Sequence, residues 1–329
     1  MNTTTGSGRI LLAALFTLGA PLALLSWLWL SERLVGLLGR RHAARLRPVL
    51  WLLPALVLVG VFLVWPLVHT GILSFRNAAG RGWRGLANYR YLATDHDVHA
   101  ALKNNVLWLV LLVAGCTLIG LLVATLSDAV RYESVAKAII VAPIAISFVC
   151  GAVIWRFMFD YQPPGLPQTG TLNAAYTGVT GNQPVAWLVN QTTNNSALIL
   201  VGTWMTTGFA TVILSAAIKG VPTDLLEAAR VDGATSWQAF RNITLPYIRP
   251  TITVVATLLA VMALKAFDIV YVMTNGNYGT DVIANVMYRQ LFIAQDYGKA
   301  SAVALLLTAL AIPIVIINAR SARRLEASR

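Results

Sequence analysis

DLLEAARVDGATSWQAFRNITLP, Asp224 to Pro246, is a patterned polar stretch set between two long apolar runs. Pro222 just ahead of it suits the first turn of a helix, where a missing N–H costs nothing. Asp224 and Glu227 place negative charge at the positive end of that helix. The run LLEAARV continues the helix, and Gly233 supplies a break that needs positive φ. Thr235 or Ser236 can then cap a second short helix, with Trp237, Phe240 and Ile243 along one face. Pro246 is expected to close it before the next apolar run. Ala228 and Ala229 leave the first helix short of apolar anchors but let another backbone come close, and Glu227 offers a charge for an Arg or Lys on a partner. A hairpin lying on the bilayer surface is the plainer alternative. The small-residue helix with one acid and a glycine hinge fits a protein cleft better.

The surrounding composition places this hairpin in a membrane protein. Of 329 residues, 57% are hydrophobic and 12% charged, with mean hydropathy +0.68, against about 25% charged in a soluble domain. Spanning helices need about 20 mostly apolar residues, and roughly seven such runs are present: 10–30, 49–68, 105–127, 138–159, 196–218, 250–274 and 300–318. The first run is too long for a signal peptide and lacks a small-residue cleavage pattern before Ser31, so it reads as an uncleaved anchor. The expected fold is therefore all-α and transmembrane, with a six-helix core over 49–318. An extra N-terminal helix and basic linker (1–48) precede it, and a basic tail (319–329) follows.

Lys and Arg set the orientation. More than half of the 25 basic residues fall in loops 31–48, 128–137 and 219–249 and in the tail, on one side of the membrane. The positive-inside rule makes that side cytoplasmic, with the N-terminus outside and the C-terminus inside. The net charge of +12 is thus explained by membrane orientation, and no nucleic-acid partner is expected. Cys116 and Cys150 lie in apolar runs, which excludes a disulfide framework. His42, His69, His96 and His99 offer no metal-site context, and HDVH (His96 to His99) reads as a short external loop. No G-x-x-x-x-G-K-S/T phosphate loop occurs, so no ATP hydrolysis is expected of this chain.

The stretch EAARVDGATSWQAFRNITLP resembles the EAA loop of permease subunits in binding-protein-dependent ABC importers. There the pattern reads E-A-A, three residues, G, then a hydrophobic segment closing in L-P. The corresponding residues are Glu227, Ala228, Ala229, Asp232, Gly233, Ala234, Phe240, Leu245 and Pro246. The resemblance implies that this loop forms a coupling helix seated in a cleft of a cytoplasmic ATPase. RGLANYRYL, ALKNNVLW, IWRFMFD, GTLN, FDIVYVMTNGN and YGKASAVALLL are similar to the maltose-transporter large-permease branch, over about Val49 to Asn318. TNGNYGTDV departs from the G-G-P common in sugar permeases and looks more like the alpha-glucoside subgroup. The implied partners are a second permease, an ATPase dimer that binds ATP and Mg, an extracytoplasmic sugar-binding protein, a sugar and the lipid bilayer of the bacterial inner membrane. No cofactor is expected in this chain, and no metal.

Polar groups within the spans mark the candidate path. Lys265 and Asp268, at i and i+3 in 250–274, would share a helix face about 22 Å along the span from Pro250. They can form a packing ion pair or contact substrate. In 196–218, Trp204, Thr206, Thr207 and Phe209 gather rings and hydroxyls of the kind a sugar needs, although small polar residues also serve helix packing. By resemblance, Ile144, Phe148, Thr206, Phe209, Lys265 and Asp268 fall near positions that line the sugar site. Arg156 is expected to snorkel. The outer loop 160–195 is either a docking surface or a disordered connection. A self-contained secondary transporter using Lys265 and Asp268 as an ion relay is the rival reading, and nothing in it requires the EAA loop.

Overall fold

The computed structural model describes residues 19, 22–33, 35–36, 40–127 and 132–327. Predicted span 10–30 lies mostly outside these residues. The chain clusters into two units, one ending at Thr70 and one starting at Gly71. In the first, a helix over 22–33 is tied to the start of α1 (Ala43–Leu73) by Trp27 Nε1 donating to the Leu50 carbonyl at 2.8 Å and by the Arg47–Glu32 ion pair.

In the second unit a short α2 (Ala87–Thr94) leads into α3 (His96–Ser127). HDVH therefore opens a long helix and is not a loop. Asp95 accepts hydrogen bonds at that helix start from the N–H groups of Asp97 and Val98. The predicted span 138–159 is broken: α4 (Glu133–Val141) and α5 (Phe148–Met158) meet across a tight turn holding Pro143, and the chain bends there by 101°. Ser147 caps the new start by accepting from the Cys150 N–H at 3.1 Å. The outer loop then contains α6 (Thr171–Thr180), so it is an ordered element. Asn173 fixes it, donating to the carbonyls of Asp160 and Val185 and accepting from Val185 N–H and Trp187 Nε1.

α7 (Asn194–Lys219) is the central helix. Its most apolar window is 72% buried, against 39% or less for the other spans. A helix enclosed on all sides needs no polar stripe, and its neighbours approach through small residues, as bilayer packing favours. A Cβ on Gly120 of α3 would stand 2.9 Å from Ala210 Cβ, and one on Gly208 would stand 2.6 Å from the Ile140 carbonyl of α4. After α8 (Thr223–Val231), the span α9 (Ser236–Leu264) rises through the bilayer. The predicted run 250–274 does not continue as one helix: α9 stops at Leu264 and α10 (Asp268–Met273) begins after a three-residue break. α11 (Ile283–Tyr288) and α12 (Tyr297–Ala327) complete the chain, and the latter extends the predicted span 300–318 at both ends.

The segment between α10 and α11 is locked by amides in the N-terminal parts of α3 and α7. Asn104 donates to the carbonyls of Gly279 (2.7 Å) and Asp281 (2.8 Å), and Asn194 donates to that of Tyr278 (2.8 Å). Asp281 accepts from Asn285 and pairs with Arg289, while burial pushes its carboxyl above the usual range. Gly276 (φ +77°) cannot be replaced there, because a Cβ would fall 2.6 Å from both Asn285 Nδ2 and Asp281 Oδ1.

Gly120→Val should therefore lower detergent thermal stability, by about 1–3 kcal/mol of overpacking. Gly178→Ala in α6, where a Cβ meets nothing within 4 Å, should be neutral or stabilising by about 0.5–1 kcal/mol. Melting of the two purified variants checks this, and equal behaviour would refute the close α3–α7 packing.

Candidate functional site

The hairpin over 223–246 forms as its residues dictate. α8 ends in a Schellman motif: Ala234 N–H bonds the Ala229 carbonyl (2.9 Å) and Gly233 N–H that of Arg230 (3.1 Å), with Gly233 at φ +79°. Thr235 then caps α9 in a reciprocal box with Gln238, a pattern that satisfies two free N–H groups at once. Trp237 and Phe240 stack at 5.7 Å. Glu227, Ala228 and Asp232 are exposed, Ala229 is buried and Ala234 half-buried. α8 thus holds Ala229 against the body of the protein and leaves Glu227 exposed on the outside.

Pro246 does not end the second helix. α9 widens by one residue over Phe240–Thr244, where Leu245 N–H reaches back to the Phe240 carbonyl, and then runs on through Leu245 and Pro246. The wide turn already interrupts the regular ladder, so the proline is absorbed just beyond it. A cavity of about 340 Å³ lies behind the hairpin, lined by Leu226, Arg230, Ala234 and Phe240 together with Thr125 of α3 and Ile218 of α7. At this end α4 is tied to α7: Glu133 pairs with Lys137 and with Lys219 (2.6 Å), and Lys137 donates to Ser215.

The second site lies at the break between α9 and α10. A cavity of about 210 Å³ is lined by Trp108 and Leu112 of α3, Phe148 of α5, Gly202 and Thr206 of α7, Met262 of α9, residues 265–267 of the break, and Asp268 and Ile269 of α10. Four predicted residues meet here: Phe148, Thr206, Lys265 and Asp268. Three others do not line it. Ile144 packs over Gly208, Trp204 stands edge-on to Trp155 at 5.6 Å, and Phe209 is half-buried against the core. Arg156 does not simply reach for solvent, since its guanidinium donates to the Val272 carbonyl at 3.2 Å.

Lys265 and Asp268 do not share a helix face, because the helix ends between them. Among the described residues no ion pair joins them, and both are exposed. Their placement has another cause. Lys265 sits at the C-terminus of α9 and Asp268 in the first turn of α10, so each charge faces the helix end that stabilises it. Thr206 Oγ1 donates to the Gly202 carbonyl (2.7 Å) and meets Cys116 Sγ at 3.0 Å. Sequence reasoning missed Trp108, almost wholly buried, whose indole N–H has no hydrogen-bond partner among the described residues. Its tryptophan in an apolar run gave no sign of which neighbour it faces.

A span broken as α4 and α5 are is tolerated in a bilayer only where it is buried in protein or lines a cavity, and discontinuous spans of this kind serve solute passage. Fold and site together define a membrane transport subunit. The chain belongs to the binding-protein-dependent transport system inner membrane component family, whose pattern it matches over residues 116–327, and it is a multi-pass inner-membrane permease subunit. It is 47% identical to the osmoprotective compounds uptake permease protein GgtC of Synechocystis sp., covering 85% of this chain and all of that one. It is 40% identical to the alpha-glucoside transport system permease protein AglF of Rhizobium meliloti, covering 91% and 90%. Among solved structures, a bacterial ABC transporter involved in import of the acidic polysaccharide alginate aligns with TM-score 0.72 at 26% identity. That match covers 83% of this chain and 93% of the other.

Gly233 gives a clean test of the hairpin. A Cβ there meets nothing within 4 Å, so any effect of substitution is conformational. A non-glycine residue in the left-handed region costs about 1–2 kcal/mol. Gly233→Ala should retain most transport and Gly233→Val should lose much more, with both chains still inserted in the membrane. Whole-cell uptake with membrane immunoblotting measures this, and equal uptake in wild type and Gly233→Val would remove the hinge.

Proposed function

We propose that this chain is a permease subunit of an ABC importer that carries an alpha-glucoside or related oligosaccharide inward. The observation that supports it most is the capped hairpin, which holds Ala229 inward and Glu227 outward on a short cytoplasmic helix. α8 docks in a cleft of a partner ATPase through Glu227, Ala228, Ala229, Asp232, Gly233 and Ala234, while Phe240, Leu245 and Pro246 carry its motion into α9. ATP and Mg are bound by that partner, since this sequence has no phosphate loop. The full complex comprises this chain, a second permease, two ATPase subunits and an external binding protein. The related alginate transporter has been solved with a pentasaccharide-bound periplasmic protein, which favours the same arrangement here. The sugar class follows from the alpha-glucoside relative and from a cavity that offers Trp108, Phe148 and Phe267 as ring faces beside the Thr206 hydroxyl.

Substrate passes Phe148, Thr206, Lys265 and Asp268, while Ile144, Trp204 and Phe209 support the path from behind. The N-terminus lies outside and the C-terminus in the cytoplasm, with 1–48 an added helix and linker, 49–318 the permease core and the residues beyond Asn318 a basic tail. The ion-relay reading loses its footing, because its two residues are unpaired with each other and flank a helix break.

Two outcomes are expected. Glu227→Lys should abolish co-purification of the ATPase and sugar uptake while leaving the chain in the membrane. Retained co-purification would sink the docking assignment. Lys265→Met and Asp268→Leu, made singly, should each assemble, because neither removes the other's partner. Each should lower uptake of maltose about tenfold or more in vesicles reconstituted with the whole complex, with ATP hydrolysis still stimulated by the loaded binding protein. Unchanged uptake in both would take these residues off the path.

A further inference from the structure

Four aromatic rings lead away from the bilayer cavity, and packing alone gives no reason for their order. Phe267 lines the cavity. One turn further along α10, Tyr271 stacks on it with ring centroids 5.1 Å apart. Tyr288, from α11, contacts both, at 5.3 Å from Phe267 and 5.0 Å from Tyr271. Phe292 extends the series, 4.9 Å from Tyr288. The two tyrosine hydroxyls meet at 3.4 Å. Tyr271 is 38% exposed and Phe292 63%, so the series starts in the cavity and ends on the surface.

Its direction follows from the chain. α9 rises from the hairpin, so α10 and α11 lie beyond it, against the N-terminal parts of α3 and α7 that hold residues 278–281. Gln290, two residues before Phe292, donates to the Tyr91 hydroxyl of α2, so the exposed end of the series stands near that helix while Phe267 stands in the cavity. Interfacial tyrosines often form a girdle around a membrane protein. A girdle faces the lipid all round, whereas one member of this series lines the cavity.

We propose that Phe267, Tyr271, Tyr288 and Phe292 form a stacking lane along which a sugar passes from the outer face into the cavity. The inference rests on the sugar-importer reading and adds the route to it. Aromatic faces present a negative quadrupole, and the C–H faces of pyranose rings lie against it without needing fixed hydroxyl positions. Beyond the stacked Phe267–Tyr271 pair the rings are tilted by 39° to 66°, so it is their outward faces and edges, spaced at about 5 Å, that a sugar would meet in succession. The paired tyrosine hydroxyls sit at the lane's edge, where sugar hydroxyls can exchange hydrogen bonds with them.

The experiment uses the complete transporter in proteoliposomes with loaded binding protein, reading sugar delivered per ATP hydrolysed for maltose and maltotriose. Tyr271→Leu with Tyr288→Leu keeps apolar bulk but removes the rings. It should lower the delivered-to-hydrolysed ratio at least fivefold, more for maltotriose than for maltose. Tyr271→Phe with Tyr288→Phe keeps the faces and should retain more than half of the wild-type ratio. If the leucine pair fails to assemble, Phe292→Leu at the exposed end supplies the same comparison on its own, with at least a twofold loss expected. An unchanged ratio in the leucine variants, or a phenylalanine pair as impaired as the leucine pair, overturns the lane. Failure of the wild-type complex to deliver either sugar would instead strike the substrate reading itself.

Discussion

A helix that stops among buried side chains leaves carbonyls with no water to bond, and the side chain of Asn105, buried like Leu264, meets that constraint at the centre of this fold. Its Nδ2 donates to the Leu264 carbonyl at 3.3 Å, where α9 ends, and its Oδ1 accepts from the Ile283 N–H at 2.8 Å, where α11 begins. One buried amide thus holds three elements in register. Unsatisfied backbone groups cost several kcal/mol in hydrocarbon, so the break at 265–267 depends on the partner that α3 supplies. The cavity, the separation of Lys265 from Asp268 and the ring series beyond Phe267 all follow from that break. Asn104, one residue earlier, secures the adjacent loop by the same chemistry.

This dependence explains what the sequence could and could not disclose. The hairpin was legible in detail because its determinants are local: a glycine for positive φ, a threonine with a glutamine three residues on, and short polar residues before an apolar run. Long apolar stretches likewise announced the spans over 105–127 and 196–218. The break after Leu264 was not legible, because ALKAFD contains neither glycine nor proline. Its cause is an asparagine more than a hundred residues away in the chain. The bend before Phe148 had local signs in Pro143 and Ser147, yet hydropathy alone cannot distinguish a bent span from a straight one. Pro246 misled in the opposite direction, since a wide helical turn placed just ahead of it removes the usual penalty.

The candidate path was legible by residue type but not by geometry. Thr206, Phe148, Lys265 and Asp268 do come together, whereas Trp204 and Phe209 lie within a helical turn of Thr206 and point their bulk elsewhere. Neighbouring residues on a helix face different partners, and only the packing of α3, α5 and α9 around α7 decides which of them reaches the cavity. The charges show a similar limit. At i and i+3 they read as a pair on one helix, yet once the helix is broken each is explained separately by the dipole end it occupies.

α7 connects the two sites by a short mechanical route. It carries Gly202 and Thr206 into the cavity and, at its other end, Ser215 and Lys219 into the ionic cluster with Glu133 and Lys137. Gly220–Pro222 alone separate it from α8. A displacement of the hairpin therefore reaches α7 directly, and through the ionic cluster it reaches α4, whose far end borders the bend before Phe148. α9 supplies a second route, continuous from Ser236 to the break at Leu264. Close packing makes such elements shift as units and not deform smoothly, so motion at the hairpin would be expressed where the structure is already interrupted. The break at 265–267 and the bend at 142–147 are those interruptions: the first lines the cavity, and the second immediately precedes Phe148, which does.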